Sequence, residues 1–433
     1  MRIQQISVSG LFGIFDHVIP LNMDERITII HGPNGFGKTV MLRMLNGFFN
    51  SQYSVFQTIP FRNFRVEFDN RSSVEIVKTS DPSAKTNKIN DITCNFYDPN
   101  SGKASFILKN SSARTDVLSQ ELFLWIAKSL SERRQNQLEG IESSELKSRD
   151  EPEWLENVKN NIHVRLIESQ RLLNSDSNRN SRLDSEASSM LPTVSAYADE
   201  LAQLIQVKLA EYGTTAQSLD RTFPARVVKQ QPSPDLTDEQ LRHQLNELEE
   251  TRSRLIEVGL LDKDENSDFQ IQSQAIDEST KNILSVYVED VEKKLSVFDE
   301  IASKIELLRR IINNKFAYSY KEMNFNKEKG FVFKTLYSSS SSNLENLSPI
   351  DLSSGEQHEL VLLYELLFKV QPGSLVLIDE PELSLHVGWQ VQFLKDLQEI
   401  TKLADLDILM ATHSPDIIQD RWDLTVELKG PGK

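Results

Sequence analysis

The chain has 433 residues, 39% of them hydrophobic and 8% aromatic, which is ordinary for a globular protein and enough for two or three domains with a sizeable core. A formal net charge of −16 excludes a surface coated for nucleic acid, although a local basic face remains compatible with it, and the lone Cys94 excludes an intrachain disulfide and a cysteine-based zinc site. The sequence holds no apolar run of about eighteen residues, and its start, MRIQQISVSG, lacks a signal-peptide layout, so a cytoplasmic protein with no membrane segment is expected.

Residues 1 to about 110 alternate strand-like runs (ISVSG, ITIIHG, FRVEF, SVEIVK, ASFILK) with turns rich in Asn, Asp and Ser, which predicts a mixed sheet. Inside this region HGPNGFGKTV follows the apolar run Ile27 to Ile30 and precedes VMLRMLNGFF, whose apolar residues fall at helical spacing. Strand, glycine loop and helix form the context that a phosphate site requires. Gly32, Gly35 and Gly37 let several backbone N–H groups turn inward around one anion. Gly32, Gly37, Lys38 and Thr39 complete the pattern G-x-x-x-x-G-K-[ST], which puts the lysine on the β/γ-phosphates of ATP and the threonine hydroxyl on Mg²⁺.

From about 114 to 325 the chain turns to long polar segments with helical apolar spacing, interrupted by residues 173 to 189, LNSDSNRNSRLDSEASS, which are too polar to pack. Thr237 with Gln240 forms a capping box ahead of Leu241, Leu245, Leu248 and Leu255. A second long helix is expected to carry Val288, Val291, Leu295, Phe298, Ala302, Ile305 and Ile312 on one seam. The two seams fit either a short antiparallel coiled coil or the core stripes of a compact helical lid. Residues 235 to 300 hold 18 acidic against 7 basic residues, and the default role for that charge is solubility.

Strand and helix alternation then returns: FVFKTLY, a pentaserine stretch from Ser338 to Ser342, a helix from about Ser354 to Val370, SLVLIDE, a helix from about Val387 to Lys402, and DILMATHS. The two apolar runs separated by a helix, in SLVLIDE and DILMATHS, read as parallel strands buried on both faces, so the second half of the nucleotide sheet is expected in this carboxyl-terminal region. SLVLIDE ends in Asp379, placed for the Mg²⁺ shell, and Glu380, placed to orient and polarise the water that attacks the γ-phosphate. DILMATHSP delivers His413 to the carboxyl end of its strand as a γ-phosphate sensor. Ser353, Ser354 and Gly355 open a helix and form a second anion site, with Ser354 expected as its cap. One copy of each element is economically explained if the second site reaches a nucleotide held by another subunit, in a head-to-tail homo-oligomer.

The ordered set GPNGFGKT, LSSGEQ, LVLIDEPELSLH and ATHSP around a large helical insertion, after the amino-terminal hairpin IQQISVSGLFGIFDHVIPL, resembles the ATPase heads of the ABC superfamily in the branch of SMC proteins, RecF and OLD-family ATPases. The resemblance implies an α/β ABC-type head split into residues 1–112 and 326–433. Between them it implies a helical insertion over 113–325 with a coiled-coil-like hairpin at about 237–315. Asn34, Gly35, Gly37, Lys38 and Thr39 would be its Walker A residues, Asp379 and Glu380 its Walker B pair, Ser353, Ser354, Gly355, Glu356 and Gln357 its trans signature, and His413 its switch histidine. His386 matches the position that faces the partner subunit. Gln170, in VRLIESQRLL, is the first candidate for the Q-loop residue at nucleotide and metal, with Gln57 the second.

OLD nucleases continue after the switch histidine into a Toprim nuclease domain, whereas about twenty residues follow His413 here, so any nuclease is expected on a separate chain. Within the branch the sequence is most similar to the ATPase subunit of the PARIS antiphage defence system. That similarity implies a homo-oligomeric ATPase scaffold that holds a Toprim-type nuclease effector and releases it when a phage trigger protein appears. A RecF-like DNA-repair ATPase is the alternative, supported by YSVFQTIPFRNFR (residues 53 to 65) with Arg62 and Arg65, and by Arg133, Arg134, Arg165 and Arg171. A transporter ATPase fits less well, because the large insertion, the hairpin and DEPELSLH belong to the SMC-like branch.

Overall fold

The computed structural model describes residues 1–78, 92–99, 102–108, 151–167, 193–229, 237–263, 276–336 and 346–431. Gln170, Arg133, Arg134, Arg171, the polar run 173–189 and the serines 338–342 therefore lie outside the described residues. In chain order the strands are β1 Ile3–Leu11, β2 Phe15–Pro20, β3 Ile27–His31, β4 Asn63–Phe68, β5 Ser73–Lys78, β6 Ile92–Asp98, β7 Gly102–Leu108, β8 Val164–Ile167, β9 Lys321–Asn326, β10 Gly330–Thr335, β11 Asn346–Leu347, β12 Leu375–Asp379, β13 Asp407–Ala411 and β14 Thr425–Glu427. The helices are α1 Lys38–Phe49, α2 Ser54–Thr58, α3 Glu153–Asn161, α4 Thr193–Lys229, α5 Asp238–Glu257, α6 Glu278–Leu295, α7 Asp299–Phe316, α8 Ser354–Tyr364, α9 Val387–Ala404 and α10 Pro415–Ile418.

The mixed α/β chain divides into two compact units, the first of residues 1–169, 371–383 and 390–433 and the second of residues 170–370 and 384–389. The first unit holds two sheets where the sequence reading expected one. A six-stranded antiparallel sheet runs in the order β2-β1-β4-β5-β6-β7, and a five-stranded sheet runs β14-β3-β13-β12-β8 with parallel pairing throughout. The burial patterns explain the division. β4 alternates buried and partly exposed residues, as a one-sided antiparallel strand does, whereas Ile27 to Ile30 of β3 and Leu375 to Ile378 of β12 are buried without alternation. Helix α1 joins the sheets, burying Met41, Leu42, Leu45 and Phe48 in one cluster with Ile6, Val8 and Phe64 of the antiparallel sheet and Leu377 and Leu409 of the parallel one. Cys94 lies in this core on β6, and burial pushes its thiol up to about 12.

In the second unit α4 packs along α6, which also meets α5. The expected capping box is present: Thr237 Oγ1 accepts from Gln240 N at 3.2 Å, and Gln240 Oε1 accepts from Thr237 N at 3.0 Å. Leu241, Leu245, Leu248 and Leu255 are buried, as are Val288, Val291, Leu295, Phe298, Ala302, Ile305 and Ile312. The second seam is not one helix, because a 3₁₀ turn over Ser296–Phe298 separates α6 from α7. FVFKT reads as a strand in the sequence without a sheet assigned to it. It forms β10, the middle strand of a three-stranded sheet, β11-β10-β9.

Helix α8 meets α7 through a buried ion pair, Lys315 with Glu359 Oε1, while Glu359 Oε2 has no hydrogen-bond partner among the described residues. The lysine and carboxylate are 1% and 0% exposed, so removing one partner strands the other charge away from water. Lys315→Ala is expected to cost about 3–5 kcal/mol and to lower the thermal unfolding midpoint by several degrees. Replacing the pair together, Lys315→Met with Glu359→Leu, should recover most of that loss in the same scan.

Candidate active site

The first unit builds its site at the carboxyl ends of adjacent parallel strands. β3 ends at His31, and the next six residues carry three glycines at positive φ: Gly32 at 151°, Gly35 at 83° and Gly37 at 91°. A Cβ at Gly37 would stand 2.4 Å from Leu11 Cδ2, the end of a side chain that would have to shift, and the φ of 91° is what keeps the position glycine. α1 begins at Lys38, with Gly37 in the left-handed region as its cap, so the free N–H groups of the first turn face the loop. Asn34 and Gly35 lie exposed on the loop.

Lys38 is 4% exposed, and its ammonium donates to Gly32 O at 2.9 Å and Pro33 O at 3.3 Å. Burial pushes its pKa below the ordinary lysine value, opposed by the charges of Glu380, Asp379 and Glu382. Thr39 Oγ1 donates to Asp379 Oδ1 at 3.0 Å, which joins the start of α1 to the end of β12. These are two hard oxygens side by side. Glu380 follows in the left-handed region at φ 45°, held there by its N–H donating to Ala411 O at 2.9 Å. His413 completes the group: Nδ1 lies 3.5 Å from Lys38 Nζ, and Nε2 lies 3.6 Å from Glu380 Oε1.

One residue here was missed by the sequence reading. Glu382 accepts from His413 N at 2.6 Å and from Thr412 Oγ1 at 2.9 Å, pinning the segment that carries the histidine. Ser414 is held in turn, its hydroxyl donating to Gln390 Oε1 at 2.6 Å. The acidic run DEPE offered a signal, but only pairing of β12 with β13 brings Glu382 to the Thr412 turn. The structure thus brings together Gly32 to Thr39, Asp379, Glu380 and His413, while Gln57 sits in α2 with its carbonyl accepting from Lys78 Nζ at 2.9 Å.

In the second unit, Ser353 caps α8 where Ser354 was expected to, and Ser354 is the first helical residue. The reason is the partner three positions on. Ser353 Oγ accepts from Glu356 N at 3.4 Å, and Ser353 N donates to Glu356 Oε2 at 2.7 Å. The Glu356 carboxylate also accepts from Ser319 Oγ and Lys321 Nζ, each at 2.7 Å. Burial pushes that carboxyl up, but these hydrogen bonds outweigh it and hold the pKa below the ordinary value. Ser353 and Ser354 are exposed, Gly355 is half-buried, and His386 is exposed with Nδ1 accepting from Gly388 N at 3.2 Å.

Among the described residues no helix is long and apolar enough to cross a membrane. A family model described as an AAA ATPase domain matches residues 1–418. Similar solved structures include an Smc head domain with an extended coiled coil bound to the C-terminal domain of ScpA, derived from Pyrococcus furiosus, at 13% identity over 96% of this chain and 91% of that one, with a TM-score of 0.32. The SMC head domain from Thermotoga maritima matches at 10% identity over 97% of this chain and 92% of that one, with a TM-score of 0.35. The Smc head domain with a coiled coil and joint derived from Pyrococcus yayanosii matches at 11% identity over 100% of this chain and 96% of that one, with a TM-score of 0.32. A comparison with curated proteins finds no match.

Removing the Glu382 carboxylate leaves a backbone N–H and a hydroxyl without their acceptor. Glu382→Ala is expected to destabilise the first unit by about 1–3 kcal/mol, read by denaturant unfolding, with Glu382→Gln between it and the parent because one acceptor oxygen remains.

Proposed function

We infer that the chain, which belongs to the AAA ATPase domain family over residues 1–418, hydrolyses ATP as the scaffold and sensor subunit of a prokaryotic antiphage system acting on a separate effector. The observation that carries the ATPase part is the convergence of Lys38, Thr39, Asp379, Glu380 and His413 on the glycine loop within one unit. Lys38 exchanges its contacts with Gly32 O and Pro33 O for oxygens of the β- and γ-phosphates, and the α1 N–H groups take the remaining charge. Glu380 accepts from the attacking water and orients it, while His413 senses the γ-phosphate beside the lysine.

Thr39 Oγ1 and Asp379 Oδ1, adjacent oxygens 3.0 Å apart, fit a small divalent cation that draws its other ligands from phosphate and water. When bound, Mg²⁺ neutralises phosphate charge. Gln170 is proposed as a further ligand from outside the described residues. Ser353 to Glu356 and His386 are proposed to close over a nucleotide held by a second copy, giving head-to-tail pairs within a homo-oligomer. The exposed serines at the start of α8 and the helix dipole support that role.

The similarity of the motif set to AriA, the ATPase subunit of the PARIS system, supports the effector reading, with a Toprim-type nuclease as effector and a phage protein as trigger. A cytoplasmic location follows from that reading. The RecF-like alternative leans on arginines that include Arg65, whose Nε is taken up by Glu67 Oε1 at 2.8 Å.

Glu380→Gln keeps the shape and loses the charge that polarises water, so turnover should fall about a hundredfold or more while MgATP still binds; Lys38→Ala should weaken binding itself. Wild-type turnover in the glutamine variant would refute the assignment. The same variant, purified with MgATP from cells carrying its flanking genes, should bring a stoichiometric protein with nuclease character. Nuclease-sensitive DNA without such a protein would transfer the case to a repair ATPase.

A further inference from the structure

The β1–β2 hairpin leans on the phosphate loop. Besides the contact of Leu11 against Gly37, the Phe15 ring packs on Phe36 with centroids 4.9 Å apart and stacks on His17 at 5.6 Å. Leu428 and Gly430 close in as well: a Cβ at Gly32 would stand 3.0 Å from Leu428 O, and one at Gly430 would stand 3.5 Å from Phe36 Cζ. Within this packing sits a buried titratable group that the hydrolysis scheme does not use. His17 is 4% exposed, and its Nε2 lies 2.9 Å from Phe36 O. A carbonyl oxygen only accepts, so Nε2 carries the proton and donates it.

The consequence falls on the next residue. Among the described residues the peptide bonds are trans, and in a trans peptide the carbonyl and the following N–H point in opposite directions. Holding Phe36 O toward the hairpin therefore turns the Gly37 N–H away from it. Glycine φ freedom makes the Phe36–Gly37 peptide inexpensive to flip, so the loop needs an outside contact to choose one orientation.

We propose that His17 is a positioning residue of the phosphate loop: its Nε2–H fixes the Phe36–Gly37 peptide so that the Gly37 N–H is presented to the phosphates of the nucleotide. This rests on the reading of Gly32 to Thr39 as the nucleotide site. Burial pushes the imidazole pKa below its ordinary value, against the upward pull of the Phe36 hydrogen bond and the charge of Asp16, which favours the neutral ring. The histidine acts through the backbone of another residue and touches no reacting atom.

The test compares His17→Phe, which keeps an aromatic ring without the donor, with His17→Gln, whose side-chain amide puts an N–H near the position of Nε2. MgATP affinity of the full chain is measured by titration calorimetry, together with KM, kcat and the unfolding midpoint without nucleotide. The phenylalanine variant should bind about tenfold more weakly, the worth of roughly one hydrogen bond, with KM rising in parallel and kcat at saturation changing less than about twofold. The glutamine variant should regain most of the affinity at an unfolding midpoint like that of the phenylalanine variant. Equal affinity in the two variants, or affinity that simply follows the midpoint, overturns the proposal. Lys38→Ala in the same titration separates the two readings: if it loses affinity while His17→Phe does not, only the role of His17 falls, and if neither loses affinity the nucleotide site falls with it.

Discussion

A backbone that glycine alone adopts without strain governs this site. With Gly32, Gly35 and Gly37 at φ of 151°, 83° and 91°, the chain leaves β3, turns back on itself and enters α1 within six residues. The tightness of that turn sets Lys38 at the first helical position and lets its ammonium fold back to the carbonyls of Gly32 and Pro33. Larger residues would widen the turn, and the helix N-terminus would no longer face the space in front of the sheet.

Parallel pairing supplies the rest. β3, β13 and β12 are neighbours in the five-stranded sheet, so Thr39, Asp379 and His413, distant in sequence, come from adjacent strand ends. The turn after β12 is the costliest piece, because a glutamate at φ 45° is strained by about 1 kcal/mol or more. Its surroundings hold it in place: Glu380 N donates to Ala411 O, and two residues on Glu382 clasps the Thr412–His413 segment. Strain at the residue proposed to orient water, together with anchoring by its neighbours, is the arrangement expected of a preorganised catalytic carboxylate.

What the sequence made legible was local. The glycine turn between β3 and α1, the capping box of Thr237 and Gln240 and the burial of both helical seams follow from residues within a few positions of one another. What escaped depended on distant partners. The apolar residues Leu295, Phe298 and Ala302 keep their spacing across the 3₁₀ turn at Ser296–Phe298, so periodicity did not register the break. FVFKT carries strand character but no mark of which sheet it joins, and it pairs with β9 and β11. Ser353 and Ser354 are equivalent as caps until Glu356 is seen bound to the first. Glu382 and His17 act through backbone groups of other segments, which no spacing rule reveals.

The second unit anchors α8 with comparable care, through Glu356 bound to Ser319 and Lys321 and through Glu359 paired with Lys315. The central claim concerns the first unit. It is tested most directly by an experimental structure of the full chain with Mg²⁺ and a non-hydrolysable ATP analogue. The account predicts triphosphate cradled by Gly32 to Lys38, the lysine ammonium moved from its carbonyl partners onto phosphate, and the metal on Thr39 Oγ1. A loop left empty at saturating analogue, or nucleotide bound away from it, would contradict the account.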